Sequence, residues 1–150
     1  MKIELAKMED APDILALQKL AYRSEAEIYN DFSIPPLTQT LEELLGEFET
    51  HTVFKALLDT DLVGSVRTRV KGNTCYVGRL IVHPRVQNQG VGSLLMAYIE
   101  EYHPGVERFE LFTGHRSVRN LYLYRKLGYS EFKREKINDS LVFVFMEKRH

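Results

Sequence analysis

The spacing of apolar residues changes several times along the chain, and each change predicts an element. Residues 2–6 alternate briefly as a strand does, and Glu9, Asp10 and Pro12 then supply acidic residues and a proline suited to a helix start. Ile14, Leu15, Leu17, Leu20 and Ala21 recur at helical spacing, predicting a helix over 11–24. Asp31, Ser33 and the Pro35-Pro36 pair make 30–39 an irregular loop. Leu41, Leu44, Leu45 and Phe48 then share one face of a second helix. Residues 52–58 read as a strand, closed by a turn at Asp59-Thr60-Asp61. From Val66 the period becomes two, with Val66, Thr68 and Val70 on one side and Arg67, Arg69 and Lys71 on the other. Gly72-Asn73 is a hairpin turn into a strand over 74–82, which ends in the apolar trio Leu80-Ile81-Val82 expected near a sheet centre.

Helical spacing returns with Val91, Leu94, Leu95, Tyr98 and Tyr102, and His103-Pro104-Gly105 ends that helix. A strand over 108–113, a helix over 118–127 stopped by Gly128, and strands over 129–136 and 141–146 complete the chain. The order βααβββαβαββ predicts an α/β sandwich around a mixed sheet, with 1–150 as one domain and no internal repeat.

Composition narrows the partners. Twenty basic side chains against 21 acidic ones leave a formal net charge of -1, so there is no basic excess for nucleic acid. Cys75 is the only cysteine, which excludes an intrachain disulfide; it is expected to be a buried spectator thiol, and no metal site is expected. Without an apolar run near a membrane span or a leader-like start, the expectation is a cytoplasmic protein with no membrane partner. Exposed strands leave a homodimer open.

The chemistry concentrates at VQNQGVGS, residues 86–93, where the strand ending at Val82 gives way to a helix. The first turn of a helix has amide N–H groups without partners and the positive end of the macrodipole, and glycines at 90 and 92 let an anion approach the backbone. No lysine lies in the loop, so a Walker-type phosphate loop is excluded, and the third glycine of a dinucleotide fingerprint is missing. Taken alone, the glycines fit a tight turn equally well.

VQNQGVGS has the form Q/R-x-x-G-x-G/A and resembles the first motif of the GNAT superfamily of acetyl-CoA-dependent N-acetyltransferases, with Gln87, Gly90 and Gly92 at its three defined places. LYLYRKLGYSEF, residues 121–132, is similar to that superfamily's second motif. The resemblance implies a three-layer sandwich with a splayed central sheet. Pantetheine would pair with the backbone of Leu80, Ile81 and Val82, and pyrophosphate would rest on Asn88, Gln89, Gly90, Val91, Gly92 and Ser93. It implies transfer of an acetyl group from acetyl-CoA to a primary amine, with Tyr124 assisting departure of the thiolate. The glutamate that many members carry on the strand before the loop is absent from TCYVGRLIV, so Glu110, His115 or a water chain is left to serve as base. Ser117 stands where the second motif often has asparagine and Asn120 at its alanine-like place. Either is a candidate cofactor contact, and Ser117 is equally suited to capping the helix. Arg125 and Lys126 are candidates for the 3'-phosphate, and Gly78 for a bulge that splays the sheet. Tyr22, Glu25, Glu27, Tyr29 and Asp31, expected near the first loop, are suited to attracting a cationic amine. A non-catalytic acyl-CoA sensor and a phosphate-binding structural domain are the alternatives.

Overall fold

A computed structural model describes residues 1–150. Its seven strands are β1 (Lys2–Leu5), β2 (Thr52–Leu58), β3 (Asp61–Lys71), β4 (Thr74–Val82), β5 (Arg108–Gly114), β6 (Ser130–Asn138) and β7 (Leu141–Arg149). They form one sheet in the order β1-β2-β3-β4-β5-β7-β6. Every neighbouring pair is antiparallel except β4 and β5, which run parallel. That parallel pair has only three rungs, Thr74 with Arg108, Cys75 with Phe109 and Tyr76 with Glu110. Beyond Tyr76 the two strands separate, and the sheet opens as a V.

The bulge that bends β4 away lies one residue from the expected Gly78. Ser65 pairs with Ile81 and Arg67 with Gly78, so Arg79 and Leu80 together face Val66 alone. Arg79 takes a positive φ of 52°, which inserts the extra residue and turns the strand.

Helices cover both faces. On one side, α1 (Ala11–Ala21) and α4 (Leu41–Glu47) bury Ala11, Ile14 and Leu44 against Val53. On the other, α5 (Val91–Tyr102) and α6 (Val118–Lys126) pack Leu95, Met96, Ile99 and Leu121 against Phe54, Val66, Leu111 and Val144. Val53 and Phe54 are consecutive and point to opposite layers, as strand geometry requires.

The first third carries more helix than the periodicity suggests. The predicted first helix ends at Ala21, and a second one, α2 (Arg23–Tyr29), follows at once and stops at Asn30 in the left-handed conformation. Inside the expected irregular loop, Pro35-Pro36 opens the single turn α3 (Pro35–Thr38). Thr40 and Glu43 form a reciprocal capping box that starts α4. The basic face read into β3 is not uniform: Arg67, placed there with Arg69 and Lys71, is buried, because α1 and α4 cover it.

Candidate active site

Between the end of β4 and α5 the backbone takes two left-handed steps, at Asn88 (φ 62°) and Gly90 (φ 84°). Alternating steps of this kind turn successive N–H groups toward one point and build an anion-binding concavity. From Gln87 to Ser93 no backbone N–H donates to an acceptor elsewhere in the chain, so a row of seven amides is free at the head of a 12-residue helix. The two glycines differ in purpose. Gly90 has open space around it and is required by its φ. A Cβ on Gly92 would lie 3.3 Å from Leu123, so that glycine lets α5 approach α6. Arg119, in the first turn of α6, donates to the side chain of Gln87 and brings a cation beside the loop. Arg125 lies instead near Glu131 of β6, at the other end of α6.

The opening between β4 and β5 is where the helical layers meet. From α6, Tyr124 is buried and its phenol is pushed well above its usual pKa, first by loss of solvent and then by Tyr22 and Glu25 across the gap. Glu25 is held by two residues of the α6 end: Ser117 donates to it at 2.5 Å and the Asn120 amide at 3.2 Å. Since the Ser117 proton goes to Glu25, Tyr29 is the donor in its 2.7 Å bond to Ser117. The Tyr29 hydroxyl in turn accepts from the Arg116 N–H at 3.0 Å. Asn120 also meets Thr113 at 3.2 Å. Ser117, offered by the sequence as a helix cap, makes no cap bond. Gly114 is fixed by this arrangement, because a Cβ there would fall 2.0 Å from the Tyr29 hydroxyl oxygen. A cavity of about 330 Å³ lies outside Tyr29, between residues 29–34 and the 138–141 turn.

Two of the residues expected at the reaction are engaged elsewhere. Glu110 sits at the last closed rung of the V with its carboxylate 2.9 Å from Arg108, which also pairs with Glu147 at 2.9 Å. His115 accepts the Val142 N–H on its Nδ1 at 3.0 Å, and its backbone N–H donates to the Val142 carbonyl. An accepting Nδ1 puts the ring proton of the neutral imidazole on Nε2, so neither nitrogen is free to take a proton. Glu25, read from sequence as a loop residue suited to attracting a cationic amine, instead lies on α2, near enough to Tyr124 to help raise its pKa. Burial pushes the Cys75 thiol up to about 12, which suits a spectator.

A model of the acetyltransferase (GNAT) family matches residues 13–129, more than half of the sequence. The chain belongs to the GNAT family. A similar protein of Bacillus subtilis, the UPF0157 protein YqkA, is 25% identical over 142 residues, which is 93% of this chain and 41% of the relative. This GNAT chain thus spans less than half of that protein's length. Among solved structures, the PaiA N-acetyltransferase of Thermoplasma acidophilum, crystallised with coenzyme A, superposes with a TM-score of 0.80 at 20% identity over 100% of both chains. The ribosomal-protein-S18-alanine N-acetyltransferase of Escherichia coli gives 0.81 at 16% identity, covering 99% of this chain and 92% of its own. The putatively named acetyltransferase yncA of Salmonella typhimurium, solved with acetyl-CoA, gives 0.78 at 17%, covering 99% and 93%. At these identities the structures establish the GNAT fold: three layers around a mixed, splayed sheet. No helix is long and apolar enough to cross a membrane.

Proposed function

We propose that the chain is an N-acetyltransferase that moves the acetyl group of acetyl-CoA onto a primary amine. The observation that carries this reading is the row of seven unpaired amides at the head of α5, beside the open end of the V. The residues fit the co-substrate: the amides suit its pyrophosphate, Gly90 leaves room for it, and the unpaired inner edge of β4 at Leu80, Ile81 and Val82 suits the amides of pantetheine. When bound, the thioester supplies an activated acyl carbon.

The substrate nitrogen forms the new C–N bond, the C–S bond breaks, and the sulfur leaves with the electron pair. Tyr124 is the donor assigned to that sulfur, since its raised pKa keeps the hydroxyl proton at neutral pH. The amine must lose its proton, which for a lysine-like group costs about 4.6 kcal/mol at pH 7. We assign acceptance of that proton, directly or through water, to Glu25 rather than Glu110 or His115, because its carboxylate faces Tyr124 and is aimed by Ser117 and Asn120.

Calorimetry with coenzyme A against ADP, followed by a screen of primary amines with acetyl-CoA and detection of free thiol, tests the reading. Tight coenzyme A binding and thiol release with at least one amine are expected. Binding without turnover on a broad panel would instead make the protein an acyl-CoA sensor. Tyr124→Phe should lower kcat by about 100-fold while coenzyme A affinity stays within a few-fold; unchanged turnover removes Tyr124 from the chemistry.

A further inference from the structure

Two guanidinium groups, of Arg67 and Arg79, lie near each other and near Tyr22, with Glu47 beside Arg67 and Glu25 also near Tyr22. Arg67 of β3 is 2% exposed. Its Nη2 donates to Gln18 at 2.6 Å, and Glu47 stands 3.7 Å from Nη1, beyond hydrogen-bond reach. Glu47 also accepts from Gln39, whose own oxygen takes a bond from Gln18 at 2.9 Å. One side of Arg67 is therefore bolted to α1 and α4. Its Nε and Nη1, together with Nε of Arg79, are buried with no acceptor. Burial and the facing Arg79 lower the Arg67 pKa, against the opposing pull of Glu47. Buried N–H donors without an acceptor are costly, and an anion would both accept from them and answer the charge of the two guanidinium groups.

The position of these unpaired donors indicates what would join them. Arg79 is only partly buried, at the bulge where β4 leaves β5, immediately before the strand edge assigned to pantetheine. Its guanidinium lies against the hydroxyl of Tyr22, and Tyr22 in turn faces Tyr124. Tyr22 is thus near both the unpaired donors and Tyr124.

We infer that Arg79 and Arg67, with the Tyr22 hydroxyl, form a seat for an anionic group on the acceptor, so that the substrate is a small amine bearing a carboxylate or phosphate. This rests on the transferase reading above and names the class of substrate within it. The amine would point to Glu25 and Tyr124 while the anion meets the buried donors, which fixes the nitrogen against the acyl carbon from two ends. Neutral amines and polyamines would leave the guanidinium groups unmatched.

The test compares matched pairs on the full chain loaded with acetyl-CoA: amino acids against their carboxamides, and aminoalkyl phosphates against the parent amino alcohols. The two arms distinguish a carboxylate from a phosphate. Each pair is measured by kcat/KM and, with coenzyme A bound, by calorimetric affinity. The anionic member of at least one arm should be preferred by about 10- to 100-fold. Arg79→Gln should collapse that preference toward one, and Arg79→Lys, which keeps the charge, should restore part of it. Equal rates within every pair, a ratio unmoved by Arg79→Gln, or anionic members that neither bind nor react overturn the inference. If neutral amines are still acetylated, the transferase reading survives that failure. Anionic members that bind through Arg79 without any acetyl transfer support the seat and overturn the transferase reading instead.

Discussion

Tyr124 and Glu25 reach the same opening from opposite layers, and each shapes what the other can do. The carboxylate disfavours a phenolate nearby, which helps keep Tyr124 a donor, while Ser117 and Asn120 hold the carboxylate in place. Glu25→Gln preserves shape and loses the charge. It should reduce kcat/KM by about 100-fold at pH 7 and by much less near pH 10, where the amine sheds its proton unaided; a pH–rate profile of the two proteins measures this. A deficit that is the same at both pH values would give Glu25 a positioning role only. The second motif singled out Tyr124 in the sequence, whereas Glu25 was read only as one acidic residue suited to attracting an amine, because nothing local shows that α2 folds back onto α6. The engagement of Glu110 was legible in retrospect: Arg108 and Glu110 are two apart on a strand, so they share a face and pair.

At the level of elements, the loop before α5 offers backbone rather than side-chain donors, and the glycine pattern marks in the sequence where its chain turns left-handed at Gly90. Gly90→Glu places a side chain at φ 84° and a negative charge at the proposed seat for pyrophosphate. Coenzyme A binding should be lost in calorimetry while the circular dichroism spectrum is retained. Gly114 tests the docking of α2 instead. Gly114→Ala drives a methyl group into Tyr29 at 2.0 Å, so Tyr29 must leave Ser117 and the Arg116 N–H. The expected cost is about 1–3 kcal/mol in urea unfolding, and Tyr29→Phe combined with Gly114→Ala should recover little of it, since the ring carbon Cζ also lies 2.5 Å away. The bulge was placed at Gly78 because glycine permits unusual backbone. That the structure puts it at Arg79, with its positive φ, shows a position where a side chain is kept despite local strain.

For the whole molecule, the number of strands and their succession along the chain followed from period and turn residues, since alternation is fixed by the pleat and survives without tertiary information. The burial of Arg67 did not, because it depends on which face α1 and α4 later cover. Long-range packing also governs the alkaline limit. Tyr22, Tyr124 and Tyr129 all have pKa values raised from 10.0, chiefly by burial. Above about pH 10 the unfolded chain releases these protons and the folded chain does not, so unfolding stability should be flat below that pH and then fall. The fall can reach about 1.4 kcal/mol per pH unit for each tyrosine. Urea titrations at pH 8.5 and 10.5 measure it, with Tyr129→Phe reducing the difference. A three-rung join between β4 and β5 has a broader consequence. The molecule is two leaves with a short spine, and its most deformable line runs through the place assigned to chemistry. A guest laid along both margins would act as the missing stitches, so that occupancy and thermal endurance would rise together.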